Sequence, residues 1–334
     1  MQLNVAIVGL GYWGPNFIRN FTRHEKTHVR WICDISQKAL KKMRNFYPHI
    51  KQTNNFADIL TDPAVNLVMI VTPPESHYKL VKLALEHNKH VVVAKPMTTS
   101  SVQAEELLRL AQKKKLLLYG DLTYLHTGAV NYIKNLLQKG KIGTPLYYDS
   151  TRSNLGLIQK DVNVIWDLAP HDFAIIEHCF GLKPKKLFAS ASKHYGSGNN
   201  AEMAHITITY ENNFIAHVHV SWLSPIKLRT ILIGGTKKMV MYNDVEPDEK
   251  VKIYDKGVEL LSEDITYLKP IYRSGNALIP KLQNEEAIFL EINEIIKNIF
   301  SKKISYQNAE LNIKIIKLLE ACDKSLASGK TISL

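Results

Sequence analysis

Three side chains of this 334-residue sequence have the types and settings needed to move a proton and stabilise charge at an alcohol. Asp167 and His171 stand in Trp166-Asp-Leu-Ala-Pro-His-Asp172, four residues apart and so on one face of a regular helix. A neutral imidazole can accept an alcohol proton near pH 7, and a carboxylate beside it orients the ring and stabilises its cation. The same spacing also suits Asp167 as a helix N-cap with His171 a buried polar residue. Pro170 between them is tolerated in a first helical turn, where no intrahelical amide is lost. A metal pair is less favoured, since no further ligand cluster accompanies the two. Lys95 closes the apolar run Val91-Val-Val-Ala-Lys95 and precedes Pro96. At a strand's carboxyl edge its ammonium would point into a crevice and stabilise a developing alkoxide, unless it is simply a solvated surface lysine.

The elements that must position these groups begin with a glycine turn. Gly9-Leu10-Gly11-Tyr12-Trp13-Gly14 fits G-x-G-x-x-G, directly after a first apolar strand and opening a first helix. Gly9 allows the tight turn, Gly11 lets the backbone approach a pyrophosphate, and Gly14 lets the helix pack on the sheet. Asp34 ends the second strand twenty residues after Gly14, where a carboxylate binds the adenosine ribose hydroxyls. It would repel a 2′-phosphate, and no Arg follows at once, so NAD is expected rather than NADP. Thr72, Pro73 and Pro74 end the apolar run 67–71 at the ligand-binding edge, and His77 follows near a helix start. These residues, with Tyr12, Trp13 and Lys95, are the candidate cofactor contacts.

Apolar runs at residues 4–8, 29–33, 67–71, 90–93 and 116–119 alternate with helical spacing over 15–23, 37–46, 76–87 and 102–113. Strands apolar throughout and separated by helices indicate a parallel sheet covered on both faces, a doubly wound α/β domain. Ser36 and the Ser100–Ser101 pair are N-cap candidates. Beyond Gly128 the pattern changes to a helix over 129–137, a strand over 146–152 and a helix from about 167 to 181. Strands are then expected at 186–192, 205–210, 215–221, 229–233 and 239–242. In the 215–221 strand and the residue after it, His217, His219 and Ser221 share one face and Val218, Val220 and Trp222 the other. Glu211-Asn-Asn213 reads as a hairpin turn, and helices over 285–300 and 308–326 close the chain. The expected division is a Rossmann domain over 1–122 and a substrate-binding domain over 123–334, the latter an α+β unit with a mainly antiparallel sheet, to which the family resemblance drawn below adds a large open face and a role in oligomerisation.

Composition agrees with globular domains: 45% hydrophobic and 22% charged residues exclude disorder and collagen-like repeats. The formal net charge of +12 comes from scattered lysines, so it implies surface solvation or attraction of an acidic substrate. No basic helix or aromatic–basic motif suggests nucleic acid. Cys33, Cys179 and Cys322 are far apart, which suits a reducing compartment and excludes a cysteine-rich metal site. No run of about 18 apolar residues spans a membrane, and the N-terminus lacks secretory features, so a cytoplasmic protein is expected.

The Gly9–Gly14 turn, Asp34, Thr72–Pro74, Lys95-Pro96 and the Asp167/His171 pair together resemble the Gfo/Idh/MocA oxidoreductases. The resemblance extends over nearly the whole chain. It implies Lys95, Asp167 and His171 as the catalytic group, a cis Lys95–Pro96 bond, and face-to-face packing of the open sheet in a homo-oligomer, dimer or tetramer. The family motif is Glu-Lys-Pro, and Ala94 replaces its Glu. The 151–156 stretch, the 161–163 run and the 166–172 run are similar to the branch acting on nucleotide-linked sugars such as UDP-N-acetylglucosamine, which implies chemistry at a sugar C3 hydroxyl. Arg152, Asn154, Asn163, Trp166 and Asp172 are the candidate substrate contacts. Reduction of a 3-keto sugar with NADPH, oxidation of inositol or a free sugar, and a silent NAD-binding sensor are the alternatives, the last because of Ala94.

Overall fold

The computed structural model describes residues 2–156, 162–195, 200–260 and 270–334. Its first sheet is built from β1 (Leu3–Val8), β2 (Thr27–Cys33), β3 (Lys51–Thr53), β4 (Leu67–Ile70), β5 (His90–Val93) and β6 (Leu118–Gly120). Between them lie α1 (Gly14–Arg23), α2 (Gln37–Phe46), α3 (Phe56–Thr61), α4 (Pro74–Glu86) and α5 (Ser101–Lys114). The six strands run parallel in the order β3-β2-β1-β4-β5-β6, the doubly wound dinucleotide-binding order. Strands β1, β4 and β5 are buried almost throughout because helices cover both faces, which is why they read as unbroken apolar runs. Ser36 caps α2 through an Ala39 amide at 3.3 Å, whereas Ser100 precedes α5 without a side-chain cap. The short β3 and α3 escape periodicity, since three to six residues are too few to show it.

The second half of the chain contributes α6 (Gly128–Gln138), β7 (Pro145–Leu155), α7 (Val164–Phe180), β8 (Pro184–Ser192), β9 (Met203–Tyr210), β10 (Ile215–Ser221), β11 (Leu223–Gly235), β12 (Met239–Asn243), β13 (Val251–Tyr254), β14 (Gly257–Leu260), β15 (Pro270–Arg273) and β16 (Ala277–Leu278). Then follow α8 (Ala287–Ile299), α9 (Gln307–Ser328) and β17 (Ile332–Ser333). Nine strands form a mixed sheet in the order β16-β13-β12-β11-β7-β10-β9-β8-β17. Strands β7 and β10 pair in parallel and their neighbours antiparallel. The β9–β10 hairpin turns at Glu211–Asn213, where Asn212 and Asn213 take positive φ. Helix α7 packs on β7, β9 and β10, against the face bearing the buried Val218, Val220 and Trp222. His205 and His217 are exposed, and the His205 ring stacks on His219 at 4.3 Å. Burial and the neighbouring His205 hold His219 below the usual imidazole range.

Two compact units emerge: Met1–His126 with Glu285–Lys317, and Thr127–Asn284 with Leu318–Leu334. The first therefore draws on two stretches of chain. Ile288, Ile292, Ile295 and Ile296 of α8 belong to the same apolar cluster as Val5, Ile7, Phe17, Ile18 and Phe21. Glu291 of α8 is buried and accepts the Leu122 amide at 2.9 Å. Burial pushes its carboxyl well above the ordinary glutamate range, and the neighbouring Asp121 adds to that. Cys33, Cys179 and Cys322 are all buried and free. Among the described residues no helix is long and apolar enough to cross a membrane.

Candidate functional site

In the first unit, Gly9, Thr72 and Lys95 follow β1, β4 and β5, three neighbouring strands, along one carboxyl edge. The strand order reverses between β1 and β4, and ligands bind at that crevice in open α/β sheets. Each glycine of the turn has its own reason. Gly9 takes φ +97°, and a Cβ there would lie 2.4 Å from the Val71 carbonyl oxygen. A Cβ on Gly14 would lie 2.2 Å from the Gly9 oxygen. Gly11 differs from both: its φ is ordinary and a Cβ would meet nothing within 4 Å. The fold itself does not require that glycine, so the open space over its backbone fits the close approach of a dinucleotide pyrophosphate. Tyr12 is 84% exposed and Trp13 51%, their rings edge to face at 5.5 Å over the same turn.

Asp34 braces this turn. Its Oδ2 accepts the Leu10 amide at 2.7 Å and its Oδ1 the Ser36 amide at 2.8 Å. A carboxylate has about four lone-pair positions, so both oxygens keep capacity for ribose hydroxyls. The residues present thus fit a dinucleotide. Thr72 Oγ1 lies 2.6 Å from Ser76 Oγ, which donates to the Pro73 carbonyl at 2.7 Å, and Pro74 opens α4. Lys95 and Ala94 are half-buried at the end of β5, and the Lys95–Pro96 bond is cis. His77 corrects an expectation. Its ring is fully buried, with nitrogens bonded to the Thr72 and Pro96 carbonyls, so it lies under these turns rather than on the cofactor's side of them.

In the second unit, α7 starts three residues earlier than the sequence suggests. Asn163 is the N-cap, its Oδ1 accepting the Ile165 and Trp166 amides at 3.0 and 3.1 Å. Pro170 therefore stands inside the helix, not in its first turn, and the Trp166 carbonyl lacks the amide that would otherwise bond it. Asp167 and His171 are half-buried, one turn apart, while Ile165, Trp166, Ala169, Pro170 and Asp172 are buried. Asp167 Oδ2 accepts the Trp222 indole N–H at 3.0 Å. Trp222 is 2% exposed, so this carboxylate is held from the sheet below. The residue was visible only as the last apolar position of an alternating strand, and nothing in that pattern linked it to Asp167.

Four of the candidate substrate contacts are engaged elsewhere. Arg152 and Asp172, 3% and 0% exposed, form a buried ion pair with Nε to Oδ2 at 2.9 Å. The Tyr148 hydroxyl donates to the same carboxylate at 3.0 Å, and burial drives that phenol well above its usual range. These groups fasten β7 to α7. The Trp166 indole donates to Asp323 at 2.8 Å, and Asn163 donates to the same side chain while capping the helix. Burial raises the Asp323 carboxyl despite those bonds. Asn154 alone of the five is half-buried on β7 with no such duty in the contacts described. Asp161, in the run 161–163, lies outside the described residues. A groove of about 480 Å³ between α6 and residues 281–283 carries Asn131, Lys139 and Lys281, and none of the residues singled out from the sequence.

Two models of one family match the chain: "Oxidoreductase family, NAD-binding Rossmann fold" over residues 3–121 and "GFO/IDH/MocA C-terminal domain" over residues 130–241. The uncharacterized oxidoreductase YrbE of Bacillus subtilis is 24% identical over 64% of this chain and 66% of its own length. Inositol 2-dehydrogenase of Salmonella typhimurium is 25% identical over 53% of this chain, which spans about half of that enzyme, 54%. Among solved structures, UDP-N-acetylglucosamine 3-dehydrogenase GnnA from Acidithiobacillus ferrooxidans superposes with a TM-score of 0.82 at 18% identity, over 98% of this chain and 99% of that one.

Proposed function

This chain belongs to the Gfo/Idh/MocA oxidoreductases, NAD-binding enzymes that act on alcohol groups, and from that premise we propose that it oxidises a secondary hydroxyl, at C3, of a nucleotide-activated sugar such as UDP-N-acetylglucosamine. A bound NAD would supply the hydride acceptor, C4 of its nicotinamide. His171 accepts the hydroxyl proton on its imidazole, and Asp167, steadied by the Trp222 indole, orients that ring and stabilises the imidazolium. Lys95 supplies positive charge to the developing alkoxide. Gly11 and Asp34 would hold the dinucleotide by its pyrophosphate and ribose, and the Asp34 carboxylate would disfavour a 2′-phosphate. The observation that carries this reading is the half-buried Asp167–His171 pair, one turn apart, with its carboxylate already fixed by a buried donor.

The sugar class rests on the 151–156 and 166–172 runs and on the likeness to GnnA, whose name states that activity. Inositol 2-dehydrogenase supports a second reading, oxidation of a free polyol. We place the reaction in the cytoplasm, in a homo-oligomer formed on the open face of the nine-stranded sheet. NADH absorbance, followed with UDP-N-acetylglucosamine, other nucleotide sugars, inositol and free sugars, separates the readings. Turnover on a nucleotide sugar supports the first, and turnover on inositol alone replaces it with the second. His171→Ala should lower turnover about 10³-fold while leaving NAD affinity unchanged. Unchanged turnover in both His171→Ala and Lys95→Ala would remove the catalytic assignment.

A further inference from the structure

The connection between β8 and β9 is built for more than joining strands. Neighbouring antiparallel strands are usually linked by about 2–5 residues, as β9 and β10 are through Glu211–Phe214. Strands β8 and β9 are linked by the longer run 193–202, and loops of that length often carry function. Glu202, 0% exposed, closes the run. Its Oε2 accepts the His194 amide at 2.8 Å and the Tyr195 amide at 2.9 Å, and its Oε1 accepts the Tyr195 amide at 3.1 Å. A carboxylate withdrawn from water requires such bonds, so the turn it holds is fixed from the core. The result is an aromatic side chain held out from the surface: Tyr195 is 79% exposed, its ring 6.3 Å from that of His194.

Strand register brings this turn to the end of the sheet that carries Asp167. Ser153, Ser221, Met203 and Ser192 are partners across β7, β10, β9 and β8. Asn154, Trp222, Glu202 and Lys193 come next in that row, and the Trp222 amide donates to the Glu202 carbonyl at 2.9 Å. By alternation from the buried Val220 and Ala204, Trp222 and Glu202 share the face that α7 covers. The Trp222 indole holds Asp167. The Ala201 carbonyl accepts the Val164 amide at 3.0 Å, and Asn200 donates to the Val162 carbonyl at 3.1 Å. The Tyr195 turn and the entry to α7 therefore form one rim. From β10 to β8 is two strand spacings, about 10 Å. A sugar whose hydroxyl meets His171 leaves the base of its nucleotide at a comparable remove, beyond the diphosphate. We propose that Tyr195 is the nucleobase platform of the substrate site: the base stacks on its phenol ring, and Glu202 is the positioning residue that sets the ring's place. This rests on the reading of the substrate as a nucleotide-activated sugar.

The test is steady-state kinetics of the full-length protein with NAD and UDP-N-acetylglucosamine, or whichever nucleotide sugar of the panel is turned over. Tyr195→Ala should raise the nucleotide sugar's KM at least about fivefold, the lower end of base–aromatic stacking, while Tyr195→Phe, which keeps the ring, should stay within about twofold of wild type. UDP, or the nucleoside diphosphate of that sugar, titrated by calorimetry should bind the three proteins in the same order. Glu202→Gln places an amide NH2 among the loop N–H groups and should raise the same KM with NAD affinity unchanged; an unchanged KM overturns its positioning role. Equal KM in Tyr195→Ala and wild type overturns the proposal. So does an equal rise in Tyr195→Phe, or a KM change that follows a change of oligomeric state in size-exclusion chromatography. If Glu202→Gln does not fold, the exposed Tyr195 variants decide. Wild-type turnover of inositol or free sugars alone refutes the nucleotide-sugar reading and with it the platform, whereas the variants test the platform by itself.

Discussion

The carboxyl edge of β1, β4 and β5 and the beginning of α7 use charge in opposite ways. Along the sheet edge the shape is made by backbone: Gly9 and Gly14 remove side chains where carbonyl oxygens crowd, and Gly11 leaves its backbone open. One carboxylate, Asp34, braces the turn and keeps lone pairs available. Around α7 there are many charged and polar side chains, and most are paired with one another. Arg152 is closed on Asp172, Trp166 on Asp323, and Asn163 on the helix amides. What remains half-buried is a narrow face bearing Asp167 and His171. A site made by backbone geometry advertises itself through glycine spacing, whereas side-chain charge near a site is as often cement as chemistry.

Breaking the cement should cost the most. Arg152→Ala leaves the Asp172 carboxylate buried opposite Tyr148 and is expected to destabilise the second unit by about 3–5 kcal/mol. Denaturant unfolding measures this, and a loss confined to substrate KM with stability intact would restore Arg152 as a ligand. The glycines of the sheet edge sharpen the contrast from the other side. Gly9→Ala forces a side chain into positive φ against the Val71 carbonyl and should lose about 2–3 kcal/mol together with NAD binding. Gly11→Ala has room and should keep stability within about 0.5 kcal/mol while NAD affinity falls. Equal effects in the two variants by thermal unfolding and NAD titration would abolish the distinction. The smallest effect belongs to Trp222→Phe, which removes one hydrogen bond from Asp167 and should lower kcat about tenfold, near 1–1.5 kcal/mol, with NAD affinity unchanged.

The same contrast explains what could be read from the chain alone. The parallel sheet was legible because its inner strands, buried on both faces, are apolar throughout. Asp34 was legible because its distance from Gly14 is set by one helix and one strand. The start of α7 was misplaced because Asn163 and Asp167 are both plausible caps, and only the backbone amides of Ile165 and Trp166 decide between them. The protein partners of His77 and Arg152 were not legible for a related reason: a polar residue's type does not tell which way it faces. His77 turns to carbonyls nineteen and five residues away in sequence, and Arg152 to a carboxylate twenty residues on. Those pairings arise from tertiary packing, and no local pattern encodes them.

The two-part make-up of the first unit bears on how the chain comes off the ribosome. The isoleucines of α8 share a cluster with Phe17 and Phe21, yet they emerge only after every strand of the second sheet but β17 has been synthesised. The nascent cofactor module must wait with an uncovered greasy flank until Ala287–Ile299 arrives. A fragment cut after His126 would keep that flank permanently bare, and a soluble stand-alone module would need α8 supplied on the same polypeptide or in trans.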